Sequence, residues 1–418
     1  MKILAFSDLH LGAGQDHRGD ALADQSRVLE QIATLAFERN VDLILNAGDT
    51  FHRAKPAPAE LHVFKRFCEA LAALGIPMVA IGGNGMHDAA PGQKSALELF
   101  ESPLVRVSRT PEMIAFPGGG PNQLGVAVCT LPAAALGHLA AAGNGVPRAD
   151  LAERAVDLLL GCARQLYADA PDDRPRILLA HQMVSGASLP TGLPVEQVGS
   201  VVLPLWALEE QGWDAIALGD IHKAQILQDV PFIAYCGAPM RHDFGEQENK
   251  PGVWILDADT EGADYEFVRL EDRRFVTVDV DLVAEADAQA SMNAKVAAGE
   301  LTQTWAISSD ETDWIAVAIG QELPLTDAVV RVRYRATEEQ HRRVDHAALQ
   351  RLVMDAGAHR LYGGVAWEPV RETRTRASGL DESLPPLAAV DLWLAANTVD
   401  DGQAAALRAL LAGWLETV

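Results

Sequence analysis

Cysteine is scarce in this sequence, and the spacing of the cysteines argues against a disulfide-rich fold and against a zinc-binding fold. Four cysteines occur among 418 residues, at Cys68, Cys129, Cys162 and Cys236, and no two of them form a CxxC pair. Disulfide frameworks and zinc sites need closely and regularly spaced cysteines. We therefore expect four reduced cysteines that serve as packing residues.

Basic residues are also under-represented. Lysine and arginine together number 34 against 58 aspartates and glutamates, which gives a formal net charge of −24. A protein that binds nucleic acid through its overall field is expected to be basic. Any contact with DNA must therefore depend on local arginine or lysine patches, on bound metal ions or on a partner subunit. The same charge argues against binding to an anionic membrane surface.

Long apolar runs are missing too. No uninterrupted apolar segment reaches the length that spans a bilayer, and Asp8 comes too early for a signal peptide. We therefore expect no membrane association and a cytoplasmic location. Hydrophobic residues still make up 49% of the chain, which is enough for a large core, and 418 residues predict two or three domains.

Five apolar runs with the length of a buried strand are followed directly by Asp, Asn or His. The residues at these ends are Asp8 and His10, Asp49 and His52, Asn84, His87 and Asp88, His181, and Asp220 and His222. In open α/β sheets the carboxyl ends of the strands carry the chemistry, so these side chains are expected to meet there. Carboxylates and imidazoles together predict a metal-centred hydrolase. Two divalent ions about 3.5 to 4 Å apart can activate a water and stabilise both the attacking and the leaving oxygen in phosphoryl transfer.

The order of these residues, D-x-H, G-D, G-N…H-D, H and G-x-x-H, resembles that of the calcineurin-like metallophosphoesterase superfamily. Within it, the segments SDLHLGA, GDTFHRAKPAP, HQMVSGA, GDIHKAQ and YCGAPMRHDFGE are most similar to the SbcD family. Its members are the nuclease subunits of bacterial DNA double-strand-break repair complexes. The resemblance is strong over residues 1 to about 270. In the remainder of the chain, only the arrangement of the predicted regions is similar.

The resemblance and the strand–helix alternation together predict the architecture. We expect a two-sheet α/β sandwich with helices on its outer faces, followed by a small α/β capping domain and a helical tail. The predicted nuclease domain covers residues 1–272. A DNA-binding cap covers 273–376 and includes a variable linker at 283–325, where periodicity is weak. The partner-binding tail covers 377–418.

The resemblance also implies a role for each polar strand end. One metal ion would be bound by Asp8, His10 and His222, the other by Asn84, His181 and Asp220, and Asp49 would bridge the two. His87 would donate a proton to the leaving 3′ oxygen or stabilise the pentacoordinate phosphorus. His52 stands where phosphatases of the superfamily usually have a second Asp, and it would hold a phosphate or orient His87. That substitution favours a nuclease over a protein phosphatase.

This sequence departs from the family pattern at two places. The usual G-H-x-H is Gly219-Asp220-Ile221-His222 here, and the harder carboxylate favours Mn²⁺ or Mg²⁺ over Zn²⁺. The usual contiguous G-N-H-D carries an insertion, Gly85-Met86, between ligand and catalytic histidine. If Gly85 lets the loop bulge, both side chains reach the metals. Otherwise His87 is displaced, and turnover falls by roughly 10²- to 10⁴-fold.

Two further groups have alternative interpretations. Arg331, Arg333 and Arg335 alternate along one strand and share a face, which is either solvated or in contact with DNA. The apolar tail is either a helical hairpin packed on the body or, as the resemblance implies and as we prefer, a docking surface for an SbcC-type ATPase. Its candidate contacts are Leu387, Leu392, Trp393, Leu407, Leu410, Leu411 and Trp414. The remaining histidines, including His62 and His242, lack such context and are expected to be surface or hydrogen-bonded residues.

The resemblance finally implies a function. We expect a Mn²⁺-dependent exonuclease that trims duplex DNA ends and also cuts single strands, acting as a homodimer through the nuclease domain. Two alternatives remain open. One is a dinuclear phosphodiesterase or phosphatase that acts on small molecules or phosphoproteins. The other is a DNA-end scaffold whose interrupted G-N…H-D loop has weakened turnover.

Overall fold

The computed structural model describes residues 1–88, 93–117, 125–133, 148–198, 201–259, 262–297, 311–370, 384–396 and 400–415. The chain divides into two compact units. The first comprises Met1–Val280, Ile307–Arg333 and Asp345–Ala366. The second comprises Asp281–Ala306, Tyr334–Val344 and Trp367–Val418. The predicted division at residues 272 and 376 remains a prediction.

Strands and helices alternate over residues 1–81 of the chain. The strands are β1 Lys2–Phe6, β2 Leu43–Asn46, β3 Met78–Ile81, β4 Val105–Ser108, β5 Glu112–Phe116, β6 Val126–Leu131, β7 Arg176–His181, β8 Met183–Val184, β9 Val202–Leu203, β10 Ala215–Gly219, β11 Gln225–Gln228, β12 Phe232–Tyr235, β13 Gly252–Asp259, β14 Gly262–Arg269, β15 Phe275–Asp281, β16 Val329–Ala336 and β17 Arg360–Pro369. The helices are α1 Gln15–Arg18, α2 Ala21–Glu38, α3 Pro58–Leu74, α4 Arg148–Asp169, α5 Leu205–Glu209, α6 Leu282–Ala297, α7 Glu311–Gln321, α8 Glu338–His341, α9 His346–Asp355, α10 Pro386–Ala396 and α11 Asp401–Leu415.

The first sheet has the strand order β14-β13-β1-β2-β3-β4. Strands β1 to β4 are parallel to one another, and β13 closes the sheet by pairing antiparallel with β1. The crossover helices α2 and α3 agree with the amphipathic segments 21–39 and 59–74, which predict helices there. Helix α3 is followed by Gly75, whose φ of 71° is the left-handed conformation that terminates helices. The parallel arrangement therefore places the carboxyl ends of β1, β2 and β3 at one edge.

The second sheet has the order β11-β12-β10-β7-β6-β5. Its central strands are parallel, and β5 and β11 pair antiparallel at the two edges. The apolar segments PFIAYCGAP and GVWILDAD predict two antiparallel strands that close the sheet, and this is wrong for the first segment, which forms β12. Strand β12 pairs in parallel with β10, and β13 belongs to the first sheet. Residues 236–251 join the two sheets, and the strand pattern alone does not reveal such a crossing.

Alternate strand residues separate the core into layers, as the predicted sandwich requires. In β1, Ile3 and Ala5 pack against residues of the second sheet such as Val128 and Leu179. Leu4 and Phe6 point the other way, into a cluster with side chains of α2 and α3. The second sheet has an equivalent outer cluster that includes residues of α4. The α/β sandwich with helices on its outer faces is therefore confirmed.

The region predicted to be a linker, 283–325, contains helices α6 and α7 instead of irregular chain. Helix α6 is rich in alanine, a strong helix former, but both helices have a weak apolar periodicity, so the sequence does not predict them. Further along the chain, β15, β16 and β17 form a three-stranded sheet. Helices α10 and α11 form the tail and pack against each other. Among the described residues, no helix combines the length and apolarity needed to cross a bilayer.

Candidate metal centre

The loops that follow β1 and β2 are joined by backbone hydrogen bonds. The amide of Asp8 donates to the carbonyl of Gly48 at 3.0 Å, and the amide of His10 donates to the carbonyl of Asp49 at 2.9 Å. Asp8, His10, Asp49 and Asp220 all have positive φ, at 53°, 44°, 49° and 91°. Non-glycine residues rarely adopt this conformation, and such strain concentrates at functional sites.

Asp49 lies between the two predicted halves of the centre. Its Oδ2 is 3.6 Å from Nε2 of His10 and 3.5 Å from Nε2 of His181. His10 Nε2 in turn lies 3.0 Å from Nε2 of His222, and His181 Nε2 lies 3.6 Å from Oδ1 of Asp220. A carboxylate that contacts imidazoles from both sides occupies the position that a bridging ligand needs.

Asn84 is connected to the centre by two hydrogen bonds to the carboxylate of Asp49. Its backbone amide donates to Asp49 Oδ1 at 2.9 Å, and its side-chain amide donates to Oδ2 at 3.0 Å. The preceding residue must be glycine, because a Cβ atom at Gly83 would lie 1.8 Å from Asp49 Oδ1. The turn after β3 is therefore packed directly against the central carboxylate.

Burial and close spacing shift the pKa values of these groups. Burial lowers the pKa of His181, but its attraction to Asp49 outweighs burial and raises the value to about 10. Burial also disfavours protonation of His222, yet its bond to Glu246 and the charge of Asp8 raise its pKa to about 9. Burial raises the pKa of Asp8 to about 6. His10 has a strongly lowered pKa because it is buried beside His222.

The donor set fits two divalent cations. Among the described residues, buried His10 Nδ1 and His181 Nε2 have no hydrogen-bond partner. Asp8, His10 and His222 present ligand atoms within 4.8 Å of one another, and so do Asp8, Asp49 and His181. Hard carboxylate oxygens combined with imidazoles suit Mn²⁺ and related ions. A cation beside Asp49 would satisfy His181 Nε2, and two cations would balance the clustered carboxylates.

His87 lies beside this centre despite the insertion before it. Its ring centroid is 4.4 Å from that of His10 and 5.3 Å from that of His52. Its Nδ1 donates to the backbone carbonyl of His52 at 2.5 Å. The inserted residues form a turn in which the amides of His87 and Asp88 donate to the carbonyl of Asn84. Gly85 does not use a positive φ there, so its glycine-specific freedom is not what accommodates the insertion.

Two residues that contact the predicted ligands were not predicted to belong to the centre. His242, expected to be a surface or hydrogen-bonded residue, is buried, and its Nε2 donates to the carbonyl of Asp8 at 3.1 Å. Glu246 accepts a hydrogen bond from Nδ1 of His222, and its other oxygen accepts from the amide of His242 at 2.7 Å. Both lie in the motif YCGAPMRHDFGE, so the motif was the signal that could have identified them.

The arginine strip of β16 is neutralised locally. Arg333 makes two hydrogen bonds of 2.7 Å with Asp279, and Arg335 donates to Asp281 at 2.7 Å. Arg331 donates to Thr277 at 3.0 Å and lies 4.3 Å over the ring of Phe244. Any DNA contact through these arginines would have to compete with their acidic neighbours.

The apolar residues of the tail are largely exposed. Leu410 has 74% of its surface exposed, and Leu387, Leu392 and Leu407 have between 36% and 43%. Trp393 and Leu411 are half-buried. Trp414 lies within α11, but its side chain is outside the described residues. The tail therefore presents an apolar surface, as both a docking helix and a partly packed hairpin would.

A family model described as calcineurin-like phosphoesterase matches residues 1–224 of the chain. This segment is more than half of the sequence and includes every residue predicted to bind metal. The chain therefore belongs to the calcineurin-like phosphoesterase family, which confirms the resemblance inferred from its motifs.

Within this family, the chain is similar to curated SbcD and Mre11 proteins. The chain is 28% identical over 261 residues to the SbcD component of the SbcCD nuclease of Escherichia coli (strain K12), covering 59% of this chain and 62% of that protein. It is 29% identical over 276 residues to the SbcD component of the SbcCD nuclease of Bacillus subtilis (strain 168), covering 62% and 66%. It is 26% identical over 288 residues to the DNA double-strand break repair protein Mre11 of Haloferax volcanii, covering 68% and 55%. Each match spans less than two thirds of the relative.

Proposed function

We propose that this chain is a Mn²⁺-dependent DNA nuclease of the SbcD type that hydrolyses phosphodiester bonds at DNA ends during double-strand-break repair. The observation that carries the proposal is the central carboxylate of Asp49, which lies within 3.6 Å of imidazole nitrogens on both sides. The names of the relatives supply the substrate class, since they are nucleases and DNA break repair proteins.

Seven residues would hold two metal ions in this proposal. Asp8, His10 and His222 hold one, Asn84, His181 and Asp220 hold the other, and Asp49 bridges them. When bound, such a pair of ions activates a water and neutralises charge on the phosphoryl oxygens. The carboxylate of Asp220, at a position where the family usually has histidine, favours Mn²⁺ with Mg²⁺ as a second possibility.

His87 and His52 would complete the chemistry. The Nδ1 proton of His87 is held by the carbonyl of His52, so Nε2 is the nitrogen that exchanges a proton with the leaving 3′ oxygen. The imidazole of His52 would orient His87 or contact a phosphate. Beside them lies a cleft of about 740 Å³ lined also by Gln15, Arg53 and Met86, which is large enough for a nucleotide.

The partners belong to the same proposal. An SbcC-type ATPase would bind the exposed leucines of α10 and α11, because an apolar helix face that the chain leaves exposed suits a partner helix. The ATPase would also supply positive surface that a chain of net charge −24 lacks. We further propose a homodimer that works in the cytoplasm, where its DNA substrate would be.

The test compares DNA with small phosphodiesters as substrates. The purified chain is incubated with Mn²⁺ and end-labelled linear duplex DNA, circular single-stranded DNA or bis(p-nitrophenyl) phosphate. We expect DNA cleavage that EDTA abolishes and that Asp49→Asn reduces by more than 100-fold. Asp257→Asn, a change at an exposed aspartate of β13, is the matched control and should cleave DNA at the wild-type rate.

Hydrolysis of small phosphodiesters without DNA cleavage would favour the alternative function, a phosphodiesterase or phosphatase that acts on small molecules or phosphoproteins. If the chain hydrolyses bis(p-nitrophenyl) phosphate or nucleotides but leaves both DNA substrates whole, the nuclease proposal is wrong. The metal centre would then serve small molecules or phosphoproteins.

A further inference from the structure

One loop contacts two predicted ligands of the same metal ion. We define the clamp loop as residues 241–246, which lie between β12 and β13. Glu246 accepts a hydrogen bond from Nδ1 of His222, and His242 donates to the backbone carbonyl of Asp8. Glu246 also accepts from the amide of His242 at 2.7 Å, so the two residues are tied to each other. Asp8 and His222 belong to one half of the centre.

Buried ion pairs hold the clamp loop in place. Arg18 is fully buried, and its guanidinium donates to the carbonyl of Arg241 and to Asp272 at 2.7 Å. Asp272 also accepts from the amide of Arg241 at 2.9 Å, and Asp24 accepts from Arg18 at 2.8 Å. A buried charge is stable only when its partners stay in place, so this network fixes where the clamp loop begins.

The other half of the centre has a different support. His181 donates its Nδ1 proton to the neutral backbone carbonyl of Ala47 at 2.7 Å. His222 donates its Nδ1 proton to a carboxylate, that of Glu246. In both cases the bond fixes the tautomer and leaves Nε2 free as a ligand, but a carboxylate also increases the basicity of the imidazole. The groups that accept the Nδ1 protons of His181 and His222 therefore come from different parts of the chain.

We infer that Glu246 and His242 are positioning residues for one metal ion alone, the ion held by Asp8, His10 and His222. This inference rests on the two-metal assignment of the proposed function. Glu246 acts through His222 by fixing its tautomer and orientation. His242 acts through Asp8 by holding the backbone on which that carboxylate stands. Neither residue contacts Asn84, His181 or Asp220 by hydrogen bond among the bonds described.

Calorimetric titration of the full chain with MnCl₂ tests this without any substrate. We expect the wild type to bind two Mn²⁺ ions. Glu246→Gln should weaken one of the two by roughly 10- to 100-fold, the usual effect of removing such a support, and should leave the other within about twofold. Glu60→Gln is the matched control, because Glu60 is also a buried carboxylate but caps α3. It should leave both affinities unchanged.

A double-mutant comparison distinguishes positioning from general damage. If Glu246 acts through His222, adding Glu246→Gln to His222→Ala should cause no further loss of Mn²⁺ affinity. Adding it to Asn84→Ala, which weakens the other ion, should cause the full loss seen in the wild type. His242→Asn provides a second, independent variant that should weaken the same ion as Glu246→Gln. Circular dichroism verifies that each variant is folded.

Three results would overturn the inference. They are equal weakening of both ions by Glu246→Gln, no weakening of either, or a full further loss in the His222→Ala background. If Glu246→Gln does not fold, the same criteria apply to His242→Asn and to Glu246→Asp. A wild type that binds two Mn²⁺ ions but spares DNA refutes only the proposed nuclease. A wild type that binds fewer than two refutes both.

Discussion

Gly83 and Gly85 lie on either side of Asn84, and they differ in how much space surrounds them. A Cβ atom at Gly83 would fall 1.8 Å from Asp49 Oδ1, while one at Gly85 would meet no atom of the described residues within 4 Å. We expect Gly83→Ala to lower Mn²⁺ affinity at least tenfold, because the bridging carboxylate must move. Gly85→Ala is the control and should change affinity less than about twofold, because an exposed site with ordinary φ tolerates a methyl group. Native Mn²⁺ binding by Gly83→Ala in calorimetry would contradict this prediction.

His87 should affect turnover without affecting metal binding. Its predicted role is proton transfer, and general acids contribute roughly 10²- to 10⁴-fold to rate. We expect His87→Ala to lower kcat for DNA cleavage by that factor while Mn²⁺ affinity stays within about twofold of the wild type. His62→Ala, at an exposed histidine of α3, is the control and should leave both unchanged. Loss of Mn²⁺ binding in His87→Ala would make His87 a ligand instead.

Deleting Gly85 and Met86 tests whether the insertion impairs the protein. The amides of His87 and Asp88 donate to the carbonyl of Asn84 in the turn that the insertion forms. Removing two residues breaks that turn and draws His87 away from His10. We therefore expect slower cleavage of end-labelled DNA by the deletion variant. Faster cleavage would instead support the alternative of a DNA-end scaffold with weakened turnover.

The sequence reveals the residues at strand ends but not those that support them. Asp8, Asp49 and His181 each follow an apolar run, so their position in the sheet can be predicted from local pattern. Glu246 lies 24 residues after His222, in a loop that passes from one sheet to the other. Its role depends on that tertiary crossing, which periodicity does not encode. The positive φ of the ligands is equally hidden, because aspartate and histidine do not signal it as glycine does.

Among the helices and strands, those with a clear amphipathic pattern are the ones that the sequence predicts correctly. Apolar periodicity predicts helices over residues 21–39, 59–74 and 149–169. These ranges agree within one residue with α2, α3 and α4, because each helix has an apolar face against a sheet. Helices α6 and α7 were missed, because their apolar residues have no clear helical period. The parallel pairing of β12 with β10 is not predicted, because the sequence of a short buried strand does not indicate its neighbours in the sheet.

The tail helices provide a prediction at this scale. Leu410 is 74% exposed on α11, whereas Leu394 on α10 is 9% exposed. We expect Leu410→Glu to leave thermal stability and DNA cleavage unchanged but to weaken binding to an SbcC-type ATPase by at least tenfold in a pull-down titration. Leu394→Glu should lower the melting temperature, since a charge would be buried. If Leu410→Glu binds the ATPase as tightly as the wild type, the tail is not the docking surface.

Across the whole molecule, acidic charge dominates and local pairing offsets much of the basic charge. The 34 basic residues face 58 acidic ones, and arginines such as Arg333 and Arg335 are already paired with aspartates. A phosphate backbone that approached Arg333 or Arg335 would therefore meet positive charge that is already paired. Two divalent ions add four positive charges at the point where a scissile phosphate would lie. Metal loading should thus affect DNA binding as well as chemistry.

Metal removal should make the stability of the chain depend on pH. Without metal, the pKa values of His181 and His222 are raised from 6.5 to about 10 and about 9. A raised histidine pKa stabilises the fold fully below about pH 6.5, and this stabilisation is lost as the pH rises through the folded value. We therefore expect the melting temperature of the EDTA-treated chain to fall between about pH 7 and pH 10.

Manganese supplies the control for this prediction. Metal ions bind the deprotonated imidazoles and take the place of their protons, so binding releases protons and removes the titration. The Mn²⁺-saturated chain should therefore lose less stability than the EDTA-treated chain over the same pH range in scanning calorimetry. Equal losses in the two samples would show that these histidines do not exchange protons for metal. Since the same two imidazoles belong to opposite halves of the centre, that result would also remove the basis for two ions.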